Sequence, residues 1–201
     1  MDTFDERARE WDTPERRERA ETVADAIRAN VPLTPTTRTI DVGAGTGLLG
    51  FALADDIGDL VLAEPSEGMR EVIGEMLAAS GRADVTAIPF DLEAGPPAGE
   101  PFDLAISLLV LHHVVDTATA LAAIRRLLVP GGRIAIADLD TEDGTFHDAD
   151  AEGIHHLGFD REALSELTRA AGFVDVEFRT ATEIVDDERR YPVFLLLARN
   201  P

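Results

Sequence analysis

The chain has 201 residues, and its 39 acidic side chains outnumber its 18 basic ones, which gives a formal net charge of −21. A surface this negative repels phosphate backbones, which argues against a nucleic-acid substrate. The chain contains no cysteine, and all of its basic residues are arginine, so thiol catalysis, cysteine metal sites, lysine Schiff bases and lysine-dependent phosphate loops are excluded.

The length suits one α/β domain with a substantial core. We expect a single domain over residues 1–201, with a helical lid at 1–30 and a sheet core at 37–201. No apolar run reaches the ~18 residues of a membrane helix, and residues 1–6 are acidic, so we expect a cytoplasmic protein with no membrane partner. We expect a monomer or a homodimer. The acidic composition fits either adaptation to high salt or a GC-rich genome.

In chain order, the first predicted elements are two short helices in residues 3–29. They meet at Pro14, which follows Asp12 and Thr13 as a proline at a helix start. Later helices are predicted up to residue 54 and at 66–79, 117–128 and 160–172. Strands are predicted at 38–42, 60–64, 85–88, 102–107, 133–138, 174–179 and 193–198. Alternating strands and helices indicate a mainly parallel sheet with helices on both faces.

The most informative motif joins the first strand to the following helix, in the sequence Asp41-Val42-Gly43-Ala44-Gly45-Thr46-Gly47. Glycines in this position let the backbone adopt positive φ and approach a ligand closely, and the N–H groups at the helix start favour an electron-rich partner. The motif therefore predicts a nucleotide-like cofactor.

The spacing of the glycines bears on which cofactor this is. Gly45, Gly47 and Gly50 match the dinucleotide pattern G-x-G-x-x-G, and Glu64 lies about twenty residues further on, where an acid would hold a ribose. Gly43, however, is the first glycine after the strand, and counted from it the third glycine position falls on Leu48. A nicotinamide-dependent oxidoreductase is thus an alternative that the glycine spacing and the missing lysine disfavour.

Five landmarks in order resemble the class I S-adenosylmethionine-dependent methyltransferases over almost the whole chain. They are residues 41–47, Glu64-Pro65-Ser66-Glu67-Gly68-Met69, Pro89-Phe90-Asp91-Leu92, Leu111-His112-His113-Val114 and 128–133. The resemblance implies a Rossmann-like fold with seven strands, the last of them antiparallel, and S-adenosylmethionine as cofactor, with S-adenosylhomocysteine as product. Its small-molecule subgroup implies methyl transfer to a small organic acceptor. A non-catalytic S-adenosylmethionine-binding protein, or one that transfers an aminopropyl group, is a further alternative.

The resemblance also implies roles for individual residues around the cofactor. The glycines would lie under it, Asp41 would orient it, and Glu64 would accept hydrogen bonds from its ribose hydroxyls. Asp91 and the backbone of Leu92 would meet the adenine. The full set of implied cofactor-binding residues is Asp41, Gly43, Gly45, Gly47, Glu64, Pro65, Met69, Asp91, Leu92 and Ser107.

Histidines provide the candidate catalytic groups, because methyl transfer needs alignment and, for some acceptors, removal of a proton. His112 and His113 follow the fourth strand at its carboxyl end, where open α/β sheets bind ligands, and either is a candidate general base, as is His156. Neighbouring side chains point apart, so only one of the pair should face a pocket.

A second group of histidines lies in the acidic segment 139–158. His147, His155 and His156, beside Asp148, Asp150 and Glu152, could form a metal site, but no histidine pair has i, i+4 spacing. We therefore expect no metal, and expect His155 instead to face the substrate.

Aromatic residues near the N-terminus suggest a cover for the site. Phe4 and Trp11 are the candidate lid residues, because an aromatic face attracts a sulfonium as it does other cations. Residues 1–20 and 139–158 are predicted to tighten together when the cofactor binds.

Overall fold

The computed structural model describes residues 3–92, 99–147, 151, 153–186 and 188–201. They form one seven-stranded sheet in the order β3-β2-β1-β4-β5-β7-β6. The strands are β1 Thr39–Val42, β2 Leu60–Ala63, β3 Val85–Ile88, β4 Phe102–Leu108, β5 Leu128–Leu139, β6 Val174–Asp186 and β7 Arg189–Arg199. The first five pair in parallel, and β7 runs antiparallel between β5 and β6. The predicted fold class is confirmed.

In the described ranges six α-helices surround the sheet: α1 Thr3–Arg7, α2 Pro14–Asn30, α3 Leu48–Leu53, α4 Glu67–Ser80, α5 Thr117–Arg126 and α6 Arg161–Ala170. Four of them begin at a side chain that accepts a hydrogen bond from a backbone N–H of the first turn, and these caps are Thr13, Ser66, Asp116 and Asp160. Pro14 is the first helical residue of α2, as its position after Thr13 predicts. None of the described helices is both long and apolar enough to cross a membrane.

Helices cover the sheet on both faces, so the inner strands are apolar on both sides. Every residue of β1 and β2 is buried. Ile40, Ile134 and Phe194 belong to the core on one face, whereas Leu62 and Leu104 belong to the core on the other. Continuous apolar runs are therefore the correct signal for these strands.

The last hairpin differs from its prediction, because β6 and β7 extend well beyond 174–179 and 193–198. Their register continues to the pair Asp186 and Arg189. In the outer part of β6 the polar residues Thr182, Glu183 and Asp186 interrupt the apolar pattern, and even Val185 is 56% exposed. The apolar pattern therefore predicted the part of the hairpin nearest the core but not its exposed extension.

The order of the strands determines where the site lies. From β1 the chain proceeds to β2 and β3 on one side, and then returns to place β4 on the other side of β1. Loops leaving β1 and β4 therefore diverge at their carboxyl ends and open a crevice, which is where sheets of this type bind ligands.

Candidate active site

A cavity of about 390 Å³ occupies this crevice. Its floor is the loop after β1, its sides come from the ends of β2, β3 and β4, and α1 and α2 contribute residues to its wall. Cavities of this size hold small molecules. Most of the residues predicted to bind a cofactor line it.

The glycine loop has the backbone conformation that the motif predicts. Gly43, Gly45 and Gly47 have φ of 69°, 58° and 88°, a region that side chains with a Cβ rarely adopt. A Cβ on Gly43 would lie 2.7 Å from the Val110 side chain. Gly43 and Gly45 line the cavity, whereas Gly47 lies outside it, at the start of α3, where a Cβ would meet Phe51 at 2.8 Å. Gly47 thus shapes the turn.

Glu64 joins the glycine loop to the start of α4. One carboxylate oxygen accepts a hydrogen bond from the N–H of Gly45 at 2.8 Å, and the other accepts from the N–H of Ser66 at 2.9 Å. The side chain is buried and lines the cavity. Each carboxylate oxygen has two acceptor positions, so the Glu64 carboxylate can still accept hydrogen bonds from a ligand.

Asp41 lies beneath the same loop, fully buried at the end of β1. Its carboxyl accepts a hydrogen bond from the N–H of Gly50 at 3.0 Å. The pKa of Asp41 is raised to about 7, chiefly because the carboxyl is buried; the Gly50 bond opposes this shift, and the nearby Glu64 carboxylate adds to it. A cationic ligand beside Asp41 would favour its ionised form.

The remaining predicted cofactor residues divide into two groups. Pro65, Met69, Asp91 and Leu92 line the cavity beside Glu64. Ser107 does not, because its hydroxyl points into the sheet and donates to the carbonyl of Val42 at 2.8 Å. Ser107 therefore ties β4 to β1 instead of facing the cavity.

The N-terminal segment contributes two aromatic side chains to the cavity wall. Phe4 and Trp11 line it and stack edge to face, with centroids 5.7 Å apart. One Asp5 oxygen accepts from the Ser66 hydroxyl at 2.6 Å and the Gly68 N–H at 2.9 Å, and these bonds lower the pKa of Asp5. The Asp12 carboxylate accepts from the hydroxyl of Thr46 in the glycine loop.

Two arginines that the sequence analysis overlooked also line the cavity. Arg16 and Arg19 lie three residues apart on α2, and the Arg16 guanidinium stacks 3.8 Å from the centre of the Trp11 ring. Burial lowers the pKa of both, and the repulsion of a neighbouring arginine lowers it further. Within the described ranges no carboxylate lies within ion-pair distance of Arg19. Its charge is thus available to an anionic ligand.

Of His112 and His113 only His113 lines the cavity, although their ring centroids lie 4.1 Å apart. His112 is buried, and its Nδ1 lies 2.7 Å from the Asp138 carboxylate at the end of β5. His113 lines the cavity, and its Nδ1 lies 2.9 Å from the carbonyl of Gly153. Burial lowers the pKa of His113 to about 4, helped by repulsion from His112, so its ring is neutral at pH 7.

The backbone just before this pair is strained. Leu109 has φ of 57°, a left-handed conformation that is rare in a branched residue without glycine's freedom. Its N–H donates to the carbonyl of Ala137 at 2.8 Å. Such strain is found preferentially at functional sites, and here it turns the chain from β4 into the turn that carries both histidines.

The other histidines do not assemble as one group. The His147 Nε2 lies 3.2 Å from the Nε2 of His112. His155 is exposed and lines the cavity, whereas His156 does not line it and donates from its Nε2 to the carbonyl of Val114 at 2.9 Å. Asp148, Asp150 and Glu152, once considered with them, lie outside the described residues.

Comparison with known proteins agrees with this geometry. A family model described as a methyltransferase domain matches residues 40–134. The chain is 33% identical to a demethylmenaquinone methyltransferase of Clavibacter sepedonicus, over 72% of this chain and 69% of the relative. It is 32% identical to the O-methyltransferase cnsE of Penicillium expansum, over 81% of this chain and 63% of the relative. The chain thus spans about two thirds of these relatives.

Solved structures show the same architecture. The fold is similar to that of the methyltransferase in a complex with the Trm112 methyltransferase activator of Haloferax volcanii, with a TM-score of 0.78. That alignment covers 100% of this chain and 99% of the other, at 21% identity. At this identity the likeness bears on the fold alone.

Proposed function

The chain belongs to the class I S-adenosylmethionine-dependent methyltransferases, and from this premise we propose that it methylates a small, largely apolar acceptor that carries a hydroxyl group. The observation that carries the proposal is that the glycine loop and His113 line the same cavity. It brings a nucleotide-binding floor and a neutral imidazole to the same enclosed space.

S-adenosylmethionine is the cofactor of this family, and the cavity fits it. Glycines under the cavity leave room that a Cβ would fill, Glu64 can accept from hydroxyls, and Asp41 lies below the loop where a cationic group would favour its charge. When bound, the cofactor supplies a methyl group that its sulfonium makes electrophilic. The roles of Glu64 as the ribose acid and of Asp91 and Leu92 at the adenine remain proposals on these grounds.

The arginines of α2 extend this assignment to the other end of the cofactor. Its amino-acid part carries a carboxylate, and Arg19 is a half-buried cation without an ion-pair partner in the described ranges that lines the same cavity as Gly43 and Gly45. A buried guanidinium pairs well with a carboxylate. Arg19→Met is expected to weaken S-adenosylhomocysteine binding at least about tenfold, the scale of a lost hydrogen bond to a charged group. Arg126→Met, at an exposed arginine on α5, is the matched control.

The acceptor end of the cavity is mainly apolar. Phe4, Leu109, Val110, Val114 and Val115 line it, and His113 provides a titratable group there. A neutral imidazole can receive the proton that a hydroxyl loses on methylation. A relative named as an O-methyltransferase supports an acceptor oxygen, and one named for demethylmenaquinone supports a quinone-like acceptor.

A cytoplasmic location, a monomeric or homodimeric state and the absence of a nucleic-acid partner are proposals that rest on composition. The charge of −21 supports the last of these. Light scattering on a sizing column measures the oligomeric state, and binding of labelled RNA at low salt tests the exclusion of nucleic acid.

Calorimetry tests the proposed function directly. We expect micromolar binding of S-adenosylmethionine and S-adenosylhomocysteine, and far weaker binding of NAD. Tight NAD binding without S-adenosylmethionine binding would support the oxidoreductase alternative instead. Transfer of a labelled methyl group to a panel of phenols and hydroquinones then tests the acceptor class, and binding without transfer to any acceptor would favour the non-catalytic alternative.

A further inference from the structure

Three imidazoles converge beside the cavity. His112, His113 and His147 each direct one ring nitrogen to a common region, where these atoms lie within 4.8 Å of one another. Two of the three come from the turn after β4, and the third comes from the segment after β5. The fold therefore brings His147 next to two histidines that are distant from it in the sequence.

The hydrogen bonds of the first two rings determine which nitrogens carry lone pairs. Asp138 accepts from the Nδ1 of His112, and its oxygens also accept from the N–H groups of His112 and Leu139, so the carboxylate acts as an acceptor throughout. The Gly153 carbonyl can only accept, so the Nδ1 of His113 donates to it. In neutral rings this leaves the lone pair on the Nε2 of both histidines.

The arrangement around His112 has the form of a metal ligand with its supporting carboxylate. Metal-binding histidines donate their other N–H to a carboxylate or a carbonyl, which fixes the tautomer and the ring orientation. Asp138 and Gly153 supply one acceptor of each kind. Asp138 is fully buried, so its charge would also offset part of the charge of a cation.

The spacing agrees with the coordination distances of zinc. Ligand nitrogens 2.0 to 2.1 Å from a tetrahedral Zn²⁺ lie about 3.3 Å from each other. The Nε2 atoms of His112 and His147 are 3.2 Å apart. The remaining separations, up to 4.8 Å, would need to close by about 1.5 Å, which rotation of the partly exposed His113 and His147 rings can supply.

We propose that His112, His113 and His147 form a binding site for a divalent transition ion of the zinc class. Three protein ligands leave a fourth position open, as in catalytic zinc sites. Because His113 lines the cavity, that position faces the acceptor end.

The role of the ion in catalysis rests on the proposed function, although metal binding does not. At the open position the ion takes the hydroxyl oxygen of the acceptor and lowers its pKa, and the proton leaves to solvent. The oxygen then forms its bond to the methyl carbon as the bond from that carbon to sulfur breaks, with the bonding pair remaining on sulfur. With the ion bound, His113 serves as a ligand and no longer as the proton acceptor, and the ion stabilises the deprotonated oxygen.

The test uses the full chain, freed of metal by a chelator and titrated with Co²⁺, whose visible absorption reports its coordination. We expect one Co²⁺ per chain with the intense bands of four or five ligands. His147→Ala should weaken binding at least about 100-fold, beyond the 10- to 100-fold usual for a supporting residue, and Asp138→Asn should fall within that range. His156→Ala, which removes an imidazole outside the cluster, should leave binding unchanged.

Thermal melts of each variant separate loss of the site from loss of the fold, and His147 is chosen because it is only partly buried. Absence of stoichiometric Co²⁺ binding, or equal loss in His147→Ala and His156→Ala, would overturn the proposal and leave an imidazole hydrogen bond between His112 and His147. S-adenosylhomocysteine binding is measured on the same samples. If it persists without Co²⁺ binding, the metal site alone is wrong; if it is missing throughout, the proposed function is wrong.

Discussion

The two sides of the cavity differ in how their polar groups are arranged. On the glycine wall, formed by Gly43, Gly45, Glu64 and Asp41, the Glu64 carboxylate accepts from a backbone N–H of the loop, and the Asp41 carboxyl accepts from the N–H of Gly50 in α3. In the histidine cluster of His112, His113 and His147, the first two rings donate hydrogen bonds to Asp138 and Gly153 at its edge. One nitrogen of each ring lies within 4.8 Å of the other two. The carboxyls of the first arrangement are already bonded to the protein backbone, whereas the second brings three ring nitrogens within 4.8 Å of one another, at the distance where we propose that a cation binds.

The difference teaches how one fold separates two tasks. The glycine wall is built by backbone groups at the ends of neighbouring strands, so its geometry is rigid and suits a constant cofactor. Side chains from a turn and a longer connecting segment build the histidine cluster, so its spacing can adjust. The N-terminal segment spans both, because Asp5 bonds to the start of α4 and Phe4 lies 5.4 Å from the ring of His113.

The largest expected effect comes from filling the floor of the glycine wall. Gly43→Ala forces a Cβ into a left-handed residue and against Val110, which should cost about 2 to 4 kcal/mol of stability. Urea unfolding measures it. The control is Gly74→Ala on α4, where a Cβ meets nothing within 4 Å and alanine should stabilise the helix by up to about 1 kcal/mol. Equal stability of the two variants would mean that the tight turn is not required.

Next is the carboxylate that organises the glycine wall. Glu64→Ala should weaken S-adenosylhomocysteine binding by about 1.5 to 3 kcal/mol, because bonds to the ligand and to the loop N–H groups are both lost. Calorimetry compares it with Glu67→Ala, an exposed acid three residues away that should bind normally. Unchanged affinity in Glu64→Ala would show that Glu64 does not hold the ribose.

A smaller effect concerns the pH dependence of the glycine wall. With a folded pKa of about 7 against 3.8 when unfolded, Asp41 keeps a proton that the unfolded chain releases, so this residue makes stability fall as pH rises from about 4 to 7. Asparagine does not titrate, so the Asp41→Asn variant should not lose stability over this pH range. Its free energy of unfolding should therefore rise relative to that of the wild type by on the order of 2 kcal/mol between pH 4 and pH 7, roughly half of what the full pKa shift would give. Denaturant titrations at several pH values measure the difference. A constant difference would contradict the raised pKa.

The smallest effect is expected in the segment that joins both sides. Asp5→Ala removes the acceptor for Ser66 and Gly68, so residues 3–10 should exchange amide hydrogens faster, with little change elsewhere. Glu6→Ala, at an exposed neighbour, is the control. In the wild type, S-adenosylhomocysteine should slow exchange in residues 3–20 and in the described part of 139–158. Equal exchange with and without it would mean that these segments are not a lid.

The glycine wall could be predicted because its parts are adjacent in sequence or in neighbouring parallel strands. Gly45 follows β1 and Glu64 follows β2, so their bond results from a pairing that two short apolar runs already indicate. The same reasoning could have predicted Asp138, because it lies next to the last residue of β5, beside the end of β4 and close to His112.

The rest depended on contacts that no local pattern encodes. His147 reaches His112 from 35 positions away through an irregular segment, so the cluster could not be recognised from spacing. Arg16 and Arg19 line the cavity because of how the N-terminal segment packs against the sheet domain. In the sequence alone, the charges of α2 fit a solvent-exposed helix equally well. Ser107 and His156 do not line the cavity, because each bonds to a backbone carbonyl of the fold, which a polar residue near a site can do without any signal in the sequence.

The central claim is that the two sides of the cavity perform separate tasks, and a crossed binding experiment tests it most directly. S-adenosylhomocysteine and Co²⁺ are each titrated into the wild type, Glu64→Ala and His147→Ala. We predict that Glu64→Ala loses affinity for S-adenosylhomocysteine and retains Co²⁺, whereas His147→Ala loses Co²⁺ and retains S-adenosylhomocysteine. Parallel loss of both ligands in either folded variant, or no loss of S-adenosylhomocysteine in Glu64→Ala, would contradict the division of tasks.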